Sequence, residues 1–558
     1  MNTSHYSVWP NRMPKFLTVP ESPLFDNLAV TAKRYPKKTC LHYYGASMTY
    51  EEVLREVETL SSYLHHELQV KPKDRVILFM QNSPQYVIAF YAILRAHAVV
   101  VPVNPMNTTN ELKFYIQDCE CKTAIVGQEL HQEISPLLEN TSLTNLIITA
   151  YSDYHTSTDD TLPPEVKNAR IAFDDENRHG WSDIMQSSLP IPAFEGHADD
   201  MAVIPYTSGT TGLPKGCVHT NRTIQANVVS AVNWLNTYSD SVHLSALPFF
   251  HVTGMLHSMH APIYAGAEMV ILTRWNRNHA VSFIEKYRCS HWINISTMVI
   301  DFLSNSSLAD YTISSLSCIA GGGAALPEAV GEKLYKLTGL RFAEGYGLSE
   351  TISHTHFNPI DRPKLQCLGV PAFNVDARIV EPTTIKELGP HETGEIIVNG
   401  PQVFTGYYNR PEETEQAFIQ LDGKSFFRTG DIGHFDEEGY YFMVDRVKRM
   451  INASGYKVWP TEVESLLYKH PSVEQACVVG VPDPKRGESV KAYIILSEEE
   501  KGKVTEEEMV EWAKTQMAAY KYPRTIEFRD AFPMTASGKI LWRKLQDEAR
   551  NQEKFIKG

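Results

Sequence analysis

The sequence predicts an α/β protein. It expects a large N-terminal domain of parallel and mixed sheets with flanking helices and a β-rich subdomain, followed by a small α+β C-terminal domain. Three observations predict it. Apolar runs of strand length alternate with helix-like stretches through the first 150 residues and again from about 198, the pattern of parallel sheets covered on both faces. The pattern shortens into β-like segments between about 367 and 444, and a new mixed region begins after Asp445.

The elements follow in order. Thr49-Tyr50-Glu51-Glu52 is a capping box that opens an amphipathic helix. RVILFM (75–80) is an apolar run suited to a buried parallel strand, and Ser83-Pro84 supplies the N-cap and first position of a helix reaching about Ala96. VVVPV (99–103), TAIVG (123–127) and NLIITA (145–150) read as further strands. Residues 151–197 are polar and aperiodic and are expected to form a peripheral loop or insertion. MAVIPYT, GEIIVNG and the hairpin GHFDEEGYYFMV come next. A helix near Thr461, strands ACVVGV and KAYIIL, and a helix from Glu506 complete the chain. The expected domains are 1–444 and 449–558, with a boundary at 445–448.

Composition narrows the function. The 558 residues carry a net charge of −14, which argues against nonspecific nucleic-acid binding. No apolar run approaches the roughly 18 residues of a membrane span, and the N-terminus has no basic-then-apolar leader, so a cytoplasmic protein is expected. The eight cysteines have no paired zinc spacing and read as reduced, partly buried residues.

The stretch YTSGTTGLPKG (206–216) combines three glycines, four hydroxyl side chains besides its tyrosine, and one lysine. Such a loop suits phosphate, although the Gly-Lys-Ser/Thr order of the common triphosphatase loop is absent; a surface turn is the alternative. IAGGGAAL (319–326) would let a flat ring approach the backbone. EGYGLSET (344–351) offers Tyr346 to an adenine face and the Glu350 carboxylate to Mg²⁺. Gly347-Leu348-Ser349 is only half a hydrolase nucleophile elbow, since Thr351 stands where its second glycine belongs. RTGD (428–431) supplies Asp431 at a tight turn, suited to two ribose hydroxyls, and PMTASGKI (533–540) carries Lys539.

Together with DRVKRMINASGYKVWPTEVE (445–464), these motifs resemble the adenylate-forming superfamily in order and approximate spacing, from about residue 25 to 550. The acyl-CoA synthetase branch is the closest in pattern. The resemblance implies an ATP-dependent acid–thiol ligase: a carboxylic acid and ATP give acyl-AMP and pyrophosphate, then coenzyme A gives acyl-CoA and AMP. It assigns the β- and γ-phosphates to Thr207, Ser208, Gly209, Thr210, Thr211, Gly212 and Lys215. Gly322, Gly323, Glu344, Gly345, Tyr346, Gly347 and Ser349 would frame adenine and the α-phosphate. Glu350, with Thr207, would hold Mg²⁺, and Asp431 and Arg446 the ribose. Lys539 would reach between the carboxylate and the α-phosphate. Lys448 would be the hinge, and Ser454-Gly455 would line the CoA tunnel. Asn452 stands where some relatives carry a lysine, which puts a thioester-forming role there in doubt.

The same resemblance places the acyl pocket in LPFFHVTGMLHSMHAPIYAGA (247–267), with His251, Val252, Gly254 and Met255 joined by Gly323. His251 would be a gate beside the reacting centre, or else a core histidine. His251, His257 and His260 lack zinc-site spacing. HVTG has no carboxylate to pair an α-ammonium, which disfavours amino-acid activation. A medium- or long-chain fatty acid is the first expectation, and a benzoate- or cinnamate-like acid the second. A luciferase-like oxidase and a non-catalytic nucleotide-binding relative stay open, and a membrane-derived acid would leave peripheral membrane contact open.

Overall fold

The computed structural model describes residues 3–173, 176–207, 214–453, 456–483, 487–534 and 540–556, apart from the side chains of Lys448, Tyr456, Lys457 and 552–556. It is a mixed α/β protein that divides into two compact units. Unit 1 comprises 1–377, 398–427 and 438–441; unit 2 comprises 378–397, 428–437 and 442–558. The chain passes between them within strands, among them Gly394–Asn399 and Lys424–Phe435.

Unit 1 is built on two large sheets. The first has a parallel core of Thr39–Tyr43, Glu268–Ile271, Val242–Ser245, His291–Asn294, Cys318–Gly322 and Ala343–Leu348, in that spatial order. Antiparallel Ser353–Phe357 and Val370–Pro371 extend one side, and Ala46–Thr49 closes the other. The second sheet has Arg75–Phe79 at its centre, flanked in parallel by Val99–Pro102 and Thr123–Gly127. Their core residues Ile77, Phe79, Val101, Ala124 and Val126 are fully buried, as continuous apolar strands require.

Local sequence signals locate the helices. Thr49 and Glu52 form the expected capping box of Tyr50–His66. Ser83 accepts a hydrogen bond from the Tyr86 N–H at the start of Pro84–Arg95. The polar segment 151–197 departs from expectation. It contributes Arg178–Gly180, a parallel edge strand beside Asn145–Thr149, and buries Tyr151, Trp181 and Ile184. A few anchoring side chains, too sparse to give a period, order it.

Unit 2 contains a sheet in which Gly487–Leu496 pairs antiparallel with Val473–Asp483 and parallel with Thr525–Phe528. Period-two alternation gives it two apolar faces. Ala476, Val478 and Ile494 pack with Val463, Leu467 and Met509, whereas Cys477, Val479 and Tyr493 pack with Leu545 and Ala549. Asp431 sits in the twelve-residue strand Lys424–Phe435 and not at a tight turn. Gly430, at φ +70°, precedes it within the strand, and the Gly-Asp pair is the local feature of RTGD that reads as a turn.

Candidate active site

The site begins on either side of residues 208–213, which lie outside the described residues and include the expected Ser208, Gly209, Thr210, Thr211 and Gly212. Thr207 ends the strand Tyr206–Thr207, and Lys215 begins Lys215–Thr220. The two strands are antiparallel, with Thr207 opposite Lys215, so both ends of the loop leave from adjacent positions. Tyr206 is anchored below them. Its hydroxyl donates to Asp118 at 2.6 Å, and Asp118 is ion-paired to Arg410 at 2.7 Å.

The Lys215 strand also reaches the second motif. Buried His219 approaches the Ser349 carbonyl at 2.7 Å through Nε2, and burial lowers its pKa to about 4, so it is neutral and donates that hydrogen bond. Ser349 and Glu350 lie in a 3-10 turn after the strand Ala343–Leu348, which carries Glu344, Gly345, Tyr346 and Gly347. Ile352 and Ser353 follow at φ +41° and +88°. Asn227 holds this strained turn, donating from Nδ2 to the carbonyls of Thr351, Ile352 and His354 at 2.9–3.0 Å. A Cβ on Gly347 would fall 1.6 Å from the Ser353 carbonyl oxygen, so only glycine lets the two strands approach here.

Gly322 is paired with Gly345 across the parallel strands, and Gly323 follows at φ +84°. The glycine runs of two separate motifs thereby meet at the C-terminal end of one sheet, the edge where open α/β folds bind ligands. Tyr346 packs its ring against His356, with centroids 5.7 Å apart. Glu344 is 4% exposed, and its Oε1 accepts from the backbone N–H groups of Leu326 and Gln366, both at 3.1 Å. Burial raises its pKa to about 7. Its carboxyl group therefore braces the backbone of the glycine-rich turn.

Glu350 accepts a hydrogen bond at 2.9 Å from the hydroxyl of Tyr407, and its own carbonyl accepts from Phe404 N–H. The Lys215 ammonium lies 4.8 Å from the centre of the same Tyr407 ring. A cation and a carboxylate of two distant motifs thus share one tyrosine.

His251 is exposed and N-caps the short helix Val252–Met255, which excludes the core-histidine alternative. Val252, Gly254 and Met255 are buried in that helix, which continues into a π-helical turn at Leu256–His260. Asn82 fixes the preceding turn by donating to the Leu247 carbonyl and accepting from Phe249 N–H, both at 2.8 Å. His257 and His260 are buried, and burial lowers their pKa values to about 4 and about 3.

In unit 2, Asp431 is buried and ion-paired to Arg446 at 2.8 Å. The expected Ser454, Gly455 and Lys539 lie outside the described residues; for Lys448 only the backbone is described, in the turn Val447–Arg449. Asn227, His219, Asn82 and Tyr407 escaped the sequence reading. Their polar groups serve motifs far along the chain, so no local pattern in the sequence marks them.

All eight cysteines are free and buried, more fully than expected. Among the described residues no group of three or more His, Cys, Asp or Glu could hold a metal, and no helix is long and apolar enough to cross a membrane. The donor set of Glu350 carboxylate and Thr207 hydroxyl fits Mg²⁺, a hard cation that commonly takes one or two protein oxygens and completes its shell with phosphates and water.

The α/β fold, the glycine-lined strand ends and the adjoining strands that carry Thr207 and Lys215 are a setting that suits a nucleotide. Residues 28–408 match the model of the AMP-binding enzyme family, and 462–539 match that of the AMP-binding enzyme C-terminal domain; the chain belongs to this family. It is 36% identical to a long-chain-fatty-acid–CoA ligase of Bacillus subtilis, over 97% of each chain. It is 31% identical to the long-chain-fatty-acid–CoA ligase of Escherichia coli O157:H7, over 98% of this chain and 99% of that one. ATP-bound MatB from Rhodopseudomonas palustris superposes with a TM-score of 0.82 at 26% identity, covering 95% of this chain and 99% of that one.

Proposed function

We propose that the chain is an AMP-forming acyl-CoA synthetase that activates a long-chain fatty acid with ATP and transfers the acyl group to coenzyme A. One observation carries the reading furthest: Lys215 and Glu350, a phosphate-type cation and a Mg²⁺-type carboxylate, meet on Tyr407 beside the ends of the Thr207–Lys215 loop. The names and near-complete overlap of the Bacillus and Escherichia relatives support the acid and the thiol.

A carboxylate resists thiol attack because its charge is delocalised and its leaving group would be oxide. Transfer to AMP supplies a stabilised leaving group. In this reading the loop ends and Lys215 orient the β- and γ-phosphates for in-line attack on the α-phosphorus. When bound, Mg²⁺ supplies charge neutralisation on the phosphates, held by Glu350 and the Thr207 hydroxyl. The glycine-rich strand ends leave room for adenine against Tyr346, braced from behind by Glu344. Asp431 and Arg446 serve the ribose, and Lys539 stabilises charge developing between carboxylate and phosphate. His251 gates the acyl channel, whose wall includes Val252, Gly254, Met255 and Gly323. For the second step, Lys448 is the hinge residue between 1–444 and 449–558, and Ser454-Gly455 flank the pantetheine path. A cytoplasmic setting, with peripheral contact where the acid is drawn from lipid, suits a chain acting on ATP and coenzyme A.

The test is pyrophosphate release with ATP, Mg²⁺ and a panel of carboxylic acids, with and without coenzyme A. Release that depends on long-chain fatty acids and turns over only with coenzyme A is the expected result. Preference for a benzoate- or cinnamate-like acid would move the assignment to an aryl-CoA ligase. Silence across the panel would overturn the reading.

A further inference from the structure

We propose that Tyr407 is a positioning residue for nucleotide binding, with its hydroxyl fixing Glu350 and its ring fixing Lys215. The inference rests on the reading above, in which those two residues meet Mg²⁺ and phosphate. Tyr407 lies in the strand Gly406–Tyr407, paired antiparallel with the Lys215 strand through Cys217 opposite Tyr407 and Val218 opposite Gly406. The pairing continues beyond it: Thr405 N–H donates to the Val218 carbonyl at 3.0 Å and Tyr408 N–H to the Gly216 carbonyl at 2.8 Å. Three residues beyond Tyr407, Arg410 is ion-paired to Asp118, the acceptor of Tyr206. One short segment therefore braces the strand leaving the loop and, through Asp118, the tyrosine that precedes Thr207.

The choice of a phenol follows from the charges it serves. A direct ion pair between Lys215 and Glu350 would satisfy each with the other and weaken both toward phosphate and metal. A neutral ring orients both without neutralising either: the hydroxyl donates to the carboxylate, and the π face attracts the ammonium. Burial and the nearby Glu350 charge raise the Tyr407 pKa far above its ordinary value, so the hydroxyl keeps its proton and remains a donor. Tyr407 touches no reacting atom in this assignment. It sets where the two groups that do are held.

Tyr407→Phe removes the hydroxyl and keeps the ring; Tyr407→Leu removes both. Binding of ATP is measured by calorimetry on the full chain without acid, with Mg²⁺ and without it, alongside the melting temperature. For Tyr407→Phe the dissociation constant of Mg²⁺-ATP should rise about tenfold, the loss expected for one hydrogen bond to a charged group. Binding of Mg²⁺-free ATP should change less than about twofold, since the ring's hold on Lys215 is kept. Tyr407→Leu should weaken both. Unchanged Mg²⁺-ATP binding by folded Tyr407→Phe would overturn the proposal, as would equal weakening of both ligands together with a lowered melting temperature, the mark of a packing role alone. Glu350→Gln separates the two levels of inference. If it also leaves the Mg²⁺ dependence unchanged, the site reading fails and this assignment with it. If it abolishes that dependence while Tyr407→Phe leaves Mg²⁺-ATP binding unchanged, only the Tyr407 assignment fails.

Discussion

Glu344 shows how far along the chain a side chain's partners can lie. The family resemblance implies that it helps frame adenine, but its hydrogen-bond partners are not visible within EGYGLSET. The residues that determine its role, Leu326 and Gln366, are 18 and 22 positions away, and only the fold brings their N–H groups to it. Burial raises its pKa to about 7 from an ordinary 4.5, so the native state prefers the protonated acid. The raised value fixes the sign. The contribution to stability is full below pH 4.5 and is lost as pH rises through 7, with a difference of roughly 3 kcal/mol. Glu344→Gln keeps the Oε1 acceptor and removes the titration. Because the buried histidines gain stability over the same range, the rise in melting temperature between pH 4.5 and 7.5 should become steeper in the variant, and an unaltered slope would assign that titration to other groups. Tyr407 was illegible for the same reason as Glu344's partners, since 57 residues separate it from Glu350.

Elements were far more legible than side-chain partners. Ser83-Pro84, the Thr49 capping box and the apolar strand runs are local signals, and each marks the element it opens or forms. The DRVKRM stretch was legible as a motif and as a domain boundary, but the side-chain contacts made there were not. There Asp445 Oδ2 accepts from the Thr461 N–H at the start of the helix Pro460–Leu467, at 2.7 Å. Arg449, largely buried, is ion-paired to Glu464 of that helix, while the Glu464 carboxylate accepts from Val478 N–H at 2.7 Å. One helix is thus tied to a sheet strand and to the segment preceding it. Arg449→Ala would leave Glu464 buried without its cation, at a cost of about 3–5 kcal/mol. Limited proteolysis should then cut unit 2 first. Wild-type resistance across 442–558 would show that the network contributes little.

At the scale of the whole molecule, the two units should respond differently to acid. Unit 1 holds His5, His219, His257, His260 and His356, all lowered by burial to between about 3 and about 4. Their contribution is present above the unfolded value of about 6.5 and is lost as pH falls toward 4. Between pH 6.5 and 5 the loss is roughly 2 kcal/mol per histidine, which for five such groups rivals the stability of an entire domain. Glu344 has the opposite sign but is one group against five. Amide exchange at pH 7 and pH 5 should show protection lost in unit 1 before unit 2, with urea midpoints falling in step. Equal loss in both units would contradict this.

The edge strand Arg178–Gly180 has a consequence for the life of the chain outside its native state. It covers the outer backbone of Asn145–Thr149, whose NLIIT sequence is uncharged and holds three apolar residues in a row. With that cover gone, the N–H and C=O groups along this side would be a template for a second molecule, the first step of cross-β assembly. Trimming the segment that carries Arg178–Gly180 should therefore raise aggregation during refolding, read as thioflavin-T fluorescence, and unchanged refolding yield would show that the cover is dispensable.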